Sequence, residues 1–299
     1  MLNQKVMAAG AQASAAVDQA RSLGRAGARL EQLGRSAERD YANIHTGRPT
    51  RANVARLYPQ KTAAPEKILQ AFNTWTFKRE QPDNPQQMMQ VVAEATRSGM
   101  PVPFVLYWGK GPRNWLDDPD TTCLDYLDAL ARRVRDVYQP GVSFKLIFTD
   151  THATLNGHPS QNIEQYFNAV EGAARERGFD TCWLGEIVFS AEAANALEAS
   201  DDTPVSKDTL EKLGLCAMKW FRGEGTPEDG ALRYYRMNMI ERQAVQFAFP
   251  ASIFVTFNGS EYRALFPERM PIFYMYSLRR GFAVKPWFLP AEVVPPATE

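Results

Sequence analysis

Cysteine, long apolar runs and net charge are all scarce in this sequence. The three cysteines, Cys123, Cys182 and Cys216, form no Cys-x-x-Cys pair, and their odd number and wide spacing argue against a disulfide framework. No stretch approaches the roughly 18 apolar residues that span a bilayer. The formal net charge is +0, so no overall field attracts nucleic acid or anionic lipid. We therefore expect a cytoplasmic protein with reduced thiols that binds neither nucleic acid nor membranes.

The N-terminal region has little bulky apolar content. Residues 1–60 begin with a segment rich in Ala and Arg whose apolar stripe is thin, which predicts a helical arm outside the core. The arm is a candidate for self-association into a homo-oligomer. Residues 61–290 are predicted to form a single α/β catalytic domain, and residues 291–299 a loose tail.

Apolar runs alternate with helical patterns through the middle of the chain. Residues 102–108 and 142–148 are nearly continuous apolar runs, typical of strands that are buried on both faces. Helical spacing separates them, and further strands are predicted at 182–188, at 253–257 and within 270–278. This order predicts an α/β fold: a mostly parallel, Rossmann-like sheet with helices on both faces.

Polar segments follow the first two predicted strands, at 109–114 and 149–158. The carboxyl ends of parallel strands share one edge of a sheet, so both loops are expected to face one pocket. The second segment contains Asp150 and His152, predicted here as catalytic residues, and also His158. A carboxylate can orient a substrate amine or a metal-bound water, and histidine exchanges protons near neutral pH. Two of the three histidines of the chain lie in this segment.

Two basic segments are candidates for substrate binding. The first loop carries Lys110, between Gly109 and Gly111, and Arg113. This composition suits a phosphate or carboxylate, although it lacks the spacing of a Walker A loop. Near the C-terminus, Lys285 and Trp287 are candidates to line an amino-acid pocket through ionic and cation–π contacts. The alternative is a solvated turn for the loop and simple packing for Trp287.

The order of these motifs resembles the pyoverdine/dityrosine biosynthesis family, which includes the isocyanide synthases. The resemblance extends from about residue 100 to residue 288. It comprises Pro103-Phe104-Val105 before the Lys110 loop, Tyr138-Gln139-Pro140-Gly141, the strand into Thr149-Asp150, Tyr166, the strand 253–257 and Lys285-Pro286-Trp287.

Members of that family act on the amine of an amino acid, and the isocyanide synthases join it to a carbon from ribulose 5-phosphate. The resemblance implies that Lys110 and Arg113 bind the sugar phosphate and that Asp150 lies near the reacting amine. It adds Thr149 and Tyr166, with Lys285 and Trp287, to the substrate-binding residues. The chain departs from the family in having Thr149-Asp150-Thr151 in place of Ser-Asp-Gly and Phe288 in place of a histidine.

Three functional hypotheses follow. The first is an isocyanide synthase-like biosynthetic enzyme that needs no cofactor and takes an amino acid and ribulose 5-phosphate as small-molecule substrates. The second is a metal-dependent oxygenase or lyase built on Asp150, His152 and His158. The third is a non-catalytic subunit that docks on a partner through the N-terminal arm.

Overall fold

The computed structural model of the protein describes residues 64–109, 114–197 and 205–275. The predicted arm at 1–60 and the tail at 291–299 fall outside these ranges. The boundaries of the arm, the domain and the tail therefore stay predictions, as does partner docking through the arm. Four predicted binding residues also fall outside: Lys110, Arg113, Lys285 and Trp287.

A parallel sheet organises the described part of the chain. Its strands are β1 (Val102–Trp108), β2 (Val142–Phe148), β3 (Asp180–Trp183), β4 (Ile253–Thr256) and β5 (Ile272–Tyr274). They lie in the order β3-β2-β1-β4-β5, and every pair of neighbouring strands is parallel. This arrangement confirms the predicted α/β, Rossmann-like fold.

Helices cover both faces of the sheet. In chain order they are α1 (Pro65–Phe72), α2 (Pro85–Ser98), α3 (Asp118–Arg135), α4 (Asp150–Leu155), α5 (Ser160–Glu176), α6 (Leu184–Ala193), α7 (Lys207–Trp220) and α8 (Pro227–Ala248). Helices α1, α2, α3 and α5 share one core with residues such as Phe104 and Phe144 of the sheet. Helices α6, α7 and α8 share the other core with Val105, Ile147 and Phe254. Side chains alternate along each strand, so neighbouring residues of β1 feed different cores.

Two helices begin with reciprocal capping. Asp117 accepts a hydrogen bond from the Asp120 amide, and the Asp120 carboxylate accepts one from the Asp117 amide, which starts α3. Thr226 and Asp229 form the same box at the start of α8. Each box satisfies two amides that the first helical turn leaves without partners, so these sequences fix where the helices begin.

One edge of the sheet is covered by the chain itself. The Arg79 amide donates to the Tyr274 carbonyl (2.8 Å), and Asp83 and Ile272 exchange backbone hydrogen bonds of 3.0 and 3.3 Å. The segment 79–83 thus lies along β5, and it satisfies backbone amides and carbonyls that an open edge strand would expose.

Three sequence expectations about the local structure are wrong. The strand predicted at 182–188 ends at Trp183 and continues directly as α6, and the polar loop predicted at 149–158 begins with the short helix α4. The helical spacing of the apolar residues at 68–75 predicts that Trp75 is buried, but Trp75 lies beyond α1 and is 70% exposed. The strands predicted at 253–257 and within 270–278 are confirmed as β4 and β5, which pair in parallel, and a 3-10 helix (Ser260–Leu265) lies between them. Within the described ranges, no helix is long and apolar enough to cross a membrane.

Candidate functional site

The order of the strands reverses direction beside β1. From β1 the chain adds β2 and then β3 on one side, and then returns to place β4 on the other side of β1. Sheets of this type bind ligands at such a switch point, outside the carboxyl ends of the strands. Helix α4 follows β2 directly at this edge, so Asp150 and His152 lie where the fold favours a ligand.

His152 is paired with a buried carboxylate. Its Nε2 lies 2.7 Å from Oε2 of Glu241, and the His152 side chain is 19% exposed while that of Glu241 is 2% exposed. The Thr151 hydroxyl donates a hydrogen bond to the other oxygen of Glu241. An ionised carboxylate only accepts hydrogen bonds, so Nε2 carries the proton. In neutral His152 this leaves the lone pair on Nδ1, which has no hydrogen-bond partner among the residues the structure describes.

Glu241 comes from α8, far along the chain from His152, and the sequence reasoning missed it. Ala231, Tyr234, Asn238, Glu241 and Val245 recur every three or four residues on one face of α8, and all five are buried. The single carboxylate among the residues of this buried face was the pattern that could have identified it. The hydrogen bonds from Thr151 and His152 also explain why the Glu241 carboxylate is tolerated in a buried position, since each of its oxygens accepts one of them.

Asp150 is fixed at the start of α4 by a neighbouring backbone. Its Oδ1 accepts a hydrogen bond of 3.1 Å from the Gly185 amide. A Cβ on Gly185 would lie 2.9 Å from Oδ2 of Asp150, so the absence of a side chain permits this close approach. Burial raises the pKa of Asp150, the nearby Glu241 carboxylate adds to that rise, and backbone amides including that of Gly185 oppose it.

Aromatic rings surround His152. The His152 and Tyr234 rings are 5.3 Å apart and edge to face, and the Tyr107 ring centroid is 6.4 Å from that of His152. Burial raises the pKa of Tyr107 well above its ordinary value, and the Glu241 carboxylate raises it further. The Tyr107 hydroxyl therefore keeps its proton across the physiological pH range. Together these residues make a partly dry setting for proton transfer.

The structure does not bring Tyr166 to His152. Tyr166 belongs to the core on the opposite face of the sheet and is 4% exposed. Its hydroxyl donates to Asp120 (2.9 Å) and accepts from Nε1 of Trp108 (3.1 Å). Thr149 is 4% exposed and its hydroxyl donates to the Trp108 carbonyl (3.2 Å), which ties β2 to β1. Substrate contact by Thr149 and Tyr166 stays a prediction, and in this structure both hydroxyls bind protein atoms.

The Asp120 carboxyl gives the fold a pH dependence that can be measured. Burial raises the pKa of Asp120 from 3.8 to about 6. Between these values the folded state binds more protons than the unfolded state, so stability is highest below about pH 4 and falls as pH rises through about 6. We expect the Asp120→Asn variant to lose this decline when urea unfolding is followed from pH 4 to pH 7. If the difference in the free energy of unfolding between the wild type and the variant did not change from pH 4 to pH 7, the raised pKa of Asp120 would be contradicted.

The second histidine of the segment does not complete a metal centre. Across the described ranges, no group of three His, Cys, Asp or Glu side chains has an arrangement that could hold a metal ion. The metal-dependent hypothesis built on Asp150, His152 and His158 therefore gains no support.

A polar cavity of about 170 Å³ lined by Glu171, Arg175, Phe179, Asp180 and Thr181 lies at the amino end of β3, opposite the candidate site.

Comparison with known proteins supports the fold. No protein-family model matches the sequence, and no curated protein matches it either. Among solved structures the chain is similar to PvcA (PA2254) from Pseudomonas aeruginosa, with a TM-score of 0.54 and 14% identity over 75% of this chain and 87% of PvcA. A tyrosyl-tRNA synthetase complexed with L-tyrosine from Archaeoglobus fulgidus matches with a TM-score of 0.48 and 12% identity over 72% of this chain and 65% of the synthetase, too low to carry an argument. The likeness to PvcA shows a distant relationship of fold.

Proposed function

We propose that this protein is an isocyanide synthase-like enzyme that acts on the amine of an amino acid or a close derivative. The observation that carries the proposal is the His152–Glu241 pair, which places a partly exposed imidazole on a buried carboxylate at the carboxyl edge of the sheet. The distant likeness to PvcA supports the fold that the proposal requires. The motif resemblance described above supplies the substrate class.

Proton transfer at His152 is the central step of the proposed chemistry. Asp150 and Glu241 give the site a negative character that favours a substrate ammonium group. Nδ1 of His152 takes a proton from that group, and the Glu241 carboxylate stabilises the resulting imidazolium. The amine lone pair then attacks the carbonyl carbon of a second substrate, for which we propose a sugar phosphate such as ribulose 5-phosphate. As the C–N bond forms, the C=O π bond breaks and the carbonyl oxygen takes the proton from the His152 imidazolium.

The remaining predicted residues have supporting roles in this proposal. Lys110 and Arg113 would neutralise the phosphate, whereas Lys285 and Trp287 would contact the amino acid. The proton transfer and the attack by the amine use side chains of the chain itself, so the proposal requires no cofactor. The substrates are small molecules, and self-association into a homo-oligomer stays a prediction.

A ligand screen followed by product analysis tests the proposal. Purified protein is mixed with amino acids, with their N-acetylated forms and with ribulose 5-phosphate, and its thermal unfolding is recorded. A ligand present at about 100 times its dissociation constant adds about 2.7 kcal/mol of stability. We expect shifts with at least one free amino acid and with the sugar phosphate, and none with the acetylated forms. Mass spectrometry of the combined mixture should then show the amine converted to an isocyanide.

Two outcomes of this screen would contradict the proposal. Equal shifts with free and acetylated amino acids would mean that the amine is not recognised. Binding of both substrates without any change in the mass of the amino acid would mean that the site binds but does not join them.

A further inference from the structure

Lys78 is a buried lysine at the carboxyl edge of the sheet. It is 8% exposed, and lysines are rarely so buried unless an opposite charge accompanies them. Lys78 forms an antiparallel bridge with Met275, whose amide donates to the Thr256 carbonyl (2.7 Å). Thr256 ends β4 and Met275 directly follows β5. Lys78 therefore lies at the carboxyl ends of these two strands, the edge at which such sheets bind their ligands.

The positive charge of Lys78 is not neutralised within residues 64–109, 114–197 and 205–275. Its Nζ lies 3.4 Å from Oε1 of Gln81 and 4.6 Å from the centre of the Trp75 ring, and it forms no ion pair with a carboxylate there. Both contacts are with neutral groups. Trp75 is 70% exposed and Gln81 is also exposed, so the ammonium at the end of a buried stem lies beside the protein surface.

Hydrogen-bonding atoms without partners lie in the same turn of the chain. The amides of Phe77 and Lys78 both donate to the Thr74 carbonyl (2.9 and 2.7 Å), which makes 74–78 one helical turn. Side chains four residues apart on such a turn lie on the same side, as do those of Thr74 and Lys78. Oγ1 of Thr74 and Oδ1 of Asn73 are enclosed, and neither has a hydrogen-bond partner in the described part of the chain. Enclosed polar atoms without partners are few in proteins, and a bound ion or water commonly accounts for them.

We infer that the turn 73–78 binds an oxyanion of the phosphate class, with the Lys78 ammonium as its counter-charge and the Trp75 ring beside it. A lysine ammonium is a compact charge that suits phosphate. Because the stem of Lys78 is already buried, little rotamer freedom is lost when an anion binds. The Thr74 hydroxyl is a second donor on the same side of the turn. This inference is independent of the proposed function, since it uses no residue of the His152 pair.

Titration with inorganic phosphate tests the site. Binding to the full chain is measured by calorimetry at a constant ionic strength set with sodium chloride, because salt screening alone alters weak ionic binding. The wild type should bind phosphate saturably and acetate more weakly, since phosphate carries the larger charge. Lys78→Met keeps the unbranched stem without the charge, and it should weaken phosphate binding about tenfold or more.

Gln81→Glu tests the same charge without removing it. The new carboxylate replaces an oxygen that already lies 3.4 Å from Nζ, so Lys78 gains a counter-charge inside the protein. We expect weaker phosphate binding and an unfolding temperature no lower than that of the wild type, because Gln81 is exposed. Lys67→Met on α1 and Gln90→Glu on α2 are matched controls. Both residues are exposed, and both variants should bind phosphate as the wild type does.

Four results would overturn the inference. They are the lack of saturable phosphate binding by the wild type, acetate bound as tightly as phosphate, unchanged phosphate binding in Lys78→Met or Gln81→Glu, and an equal loss in the control variants. The last result would show a general effect of net charge. If Lys78→Met does not fold, the Gln81→Glu variant decides the matter alone. Recognition of the amine is tested separately by the amino-acid screen.

Discussion

Replacing Glu241 by glutamine is expected to lower the rate of product formation by about 10²–10⁴-fold, the range associated with loss of an orienting carboxylate and of general base catalysis. The amide is nearly isosteric, but it carries no charge to stabilise the imidazolium form of His152. One of its two polar atoms is also a donor, which conflicts with either the Thr151 hydroxyl or Nε2 of His152. The measurement is the rate in the mass-spectrometric assay, together with a thermal unfolding curve.

Two comparisons separate a catalytic role of Glu241 from a structural one. Thr151→Val removes the other donor to Glu241 but keeps the pair with His152, so we expect it to retain most of the activity. The double variant His152→Ala/Glu241→Gln should be no slower than His152→Ala alone. If the two residues act as one unit, the first substitution already removes their joint contribution to the rate, and the second removes nothing more. A Glu241→Gln protein with wild-type activity would refute the role of the pair.

The Gly157→Ala variant should lose about 3 kcal/mol or more of its free energy of unfolding. Gly157 has φ +77°, and a Cβ there would lie 2.6 Å from the backbone oxygen of Arg222. The segment around Gly223 approaches the end of α4 just as closely, since a Cβ on Gly223 would lie 2.7 Å from the backbone oxygen of Leu155. Two backbone segments therefore cross where neither can move aside, and this crossing joins the end of α4 to the segment before α8. The measurement is a urea titration at neutral pH.

Gly178→Ala is the control for backbone strain alone. Gly178 has nearly the same φ (+75°), but an added Cβ there meets nothing within 4 Å. We expect it to cost about 1–2 kcal/mol, the cost of an L-residue in the left-handed region. Equal losses in the two variants would show that the contact with Arg222 adds nothing.

The sequence predicted the sheet best where burial is complete. Strands β1 and β2 match the predicted ranges because both faces of each strand are covered, so an uninterrupted apolar run marks each of them. The apolar run at 182–188 was predicted as one strand because β3 continues into α6 without a polar residue to mark the boundary. Leu184, Ile187 and Ala191, buried at helical spacing, were the pattern that distinguishes a helix there.

The candidate site was predicted only in part, because its partners are distant in sequence. Asp150 and His152 were found from their place after a strand. Glu241 was not, because no local pattern relates a residue of α8 to a segment after β2. Tyr166 was expected in the same pocket, but side chains near the end of β1 face both cores, and Tyr166 contacts Trp108 on the side away from His152.

The pairing of His152 with Glu241 spans 89 positions of the chain, which has a consequence for protein synthesis. A ribosome that adds about 5–20 residues per second completes α4 roughly 5 to 20 seconds before it adds Glu241. At the start of that interval β1 and β2 are already made, and β3 is added within it, whereas His152 still lacks the carboxylate that orients it. Under the proposed function, a nascent or truncated chain therefore has no competent base, and activity would appear only when α8 has docked against His152.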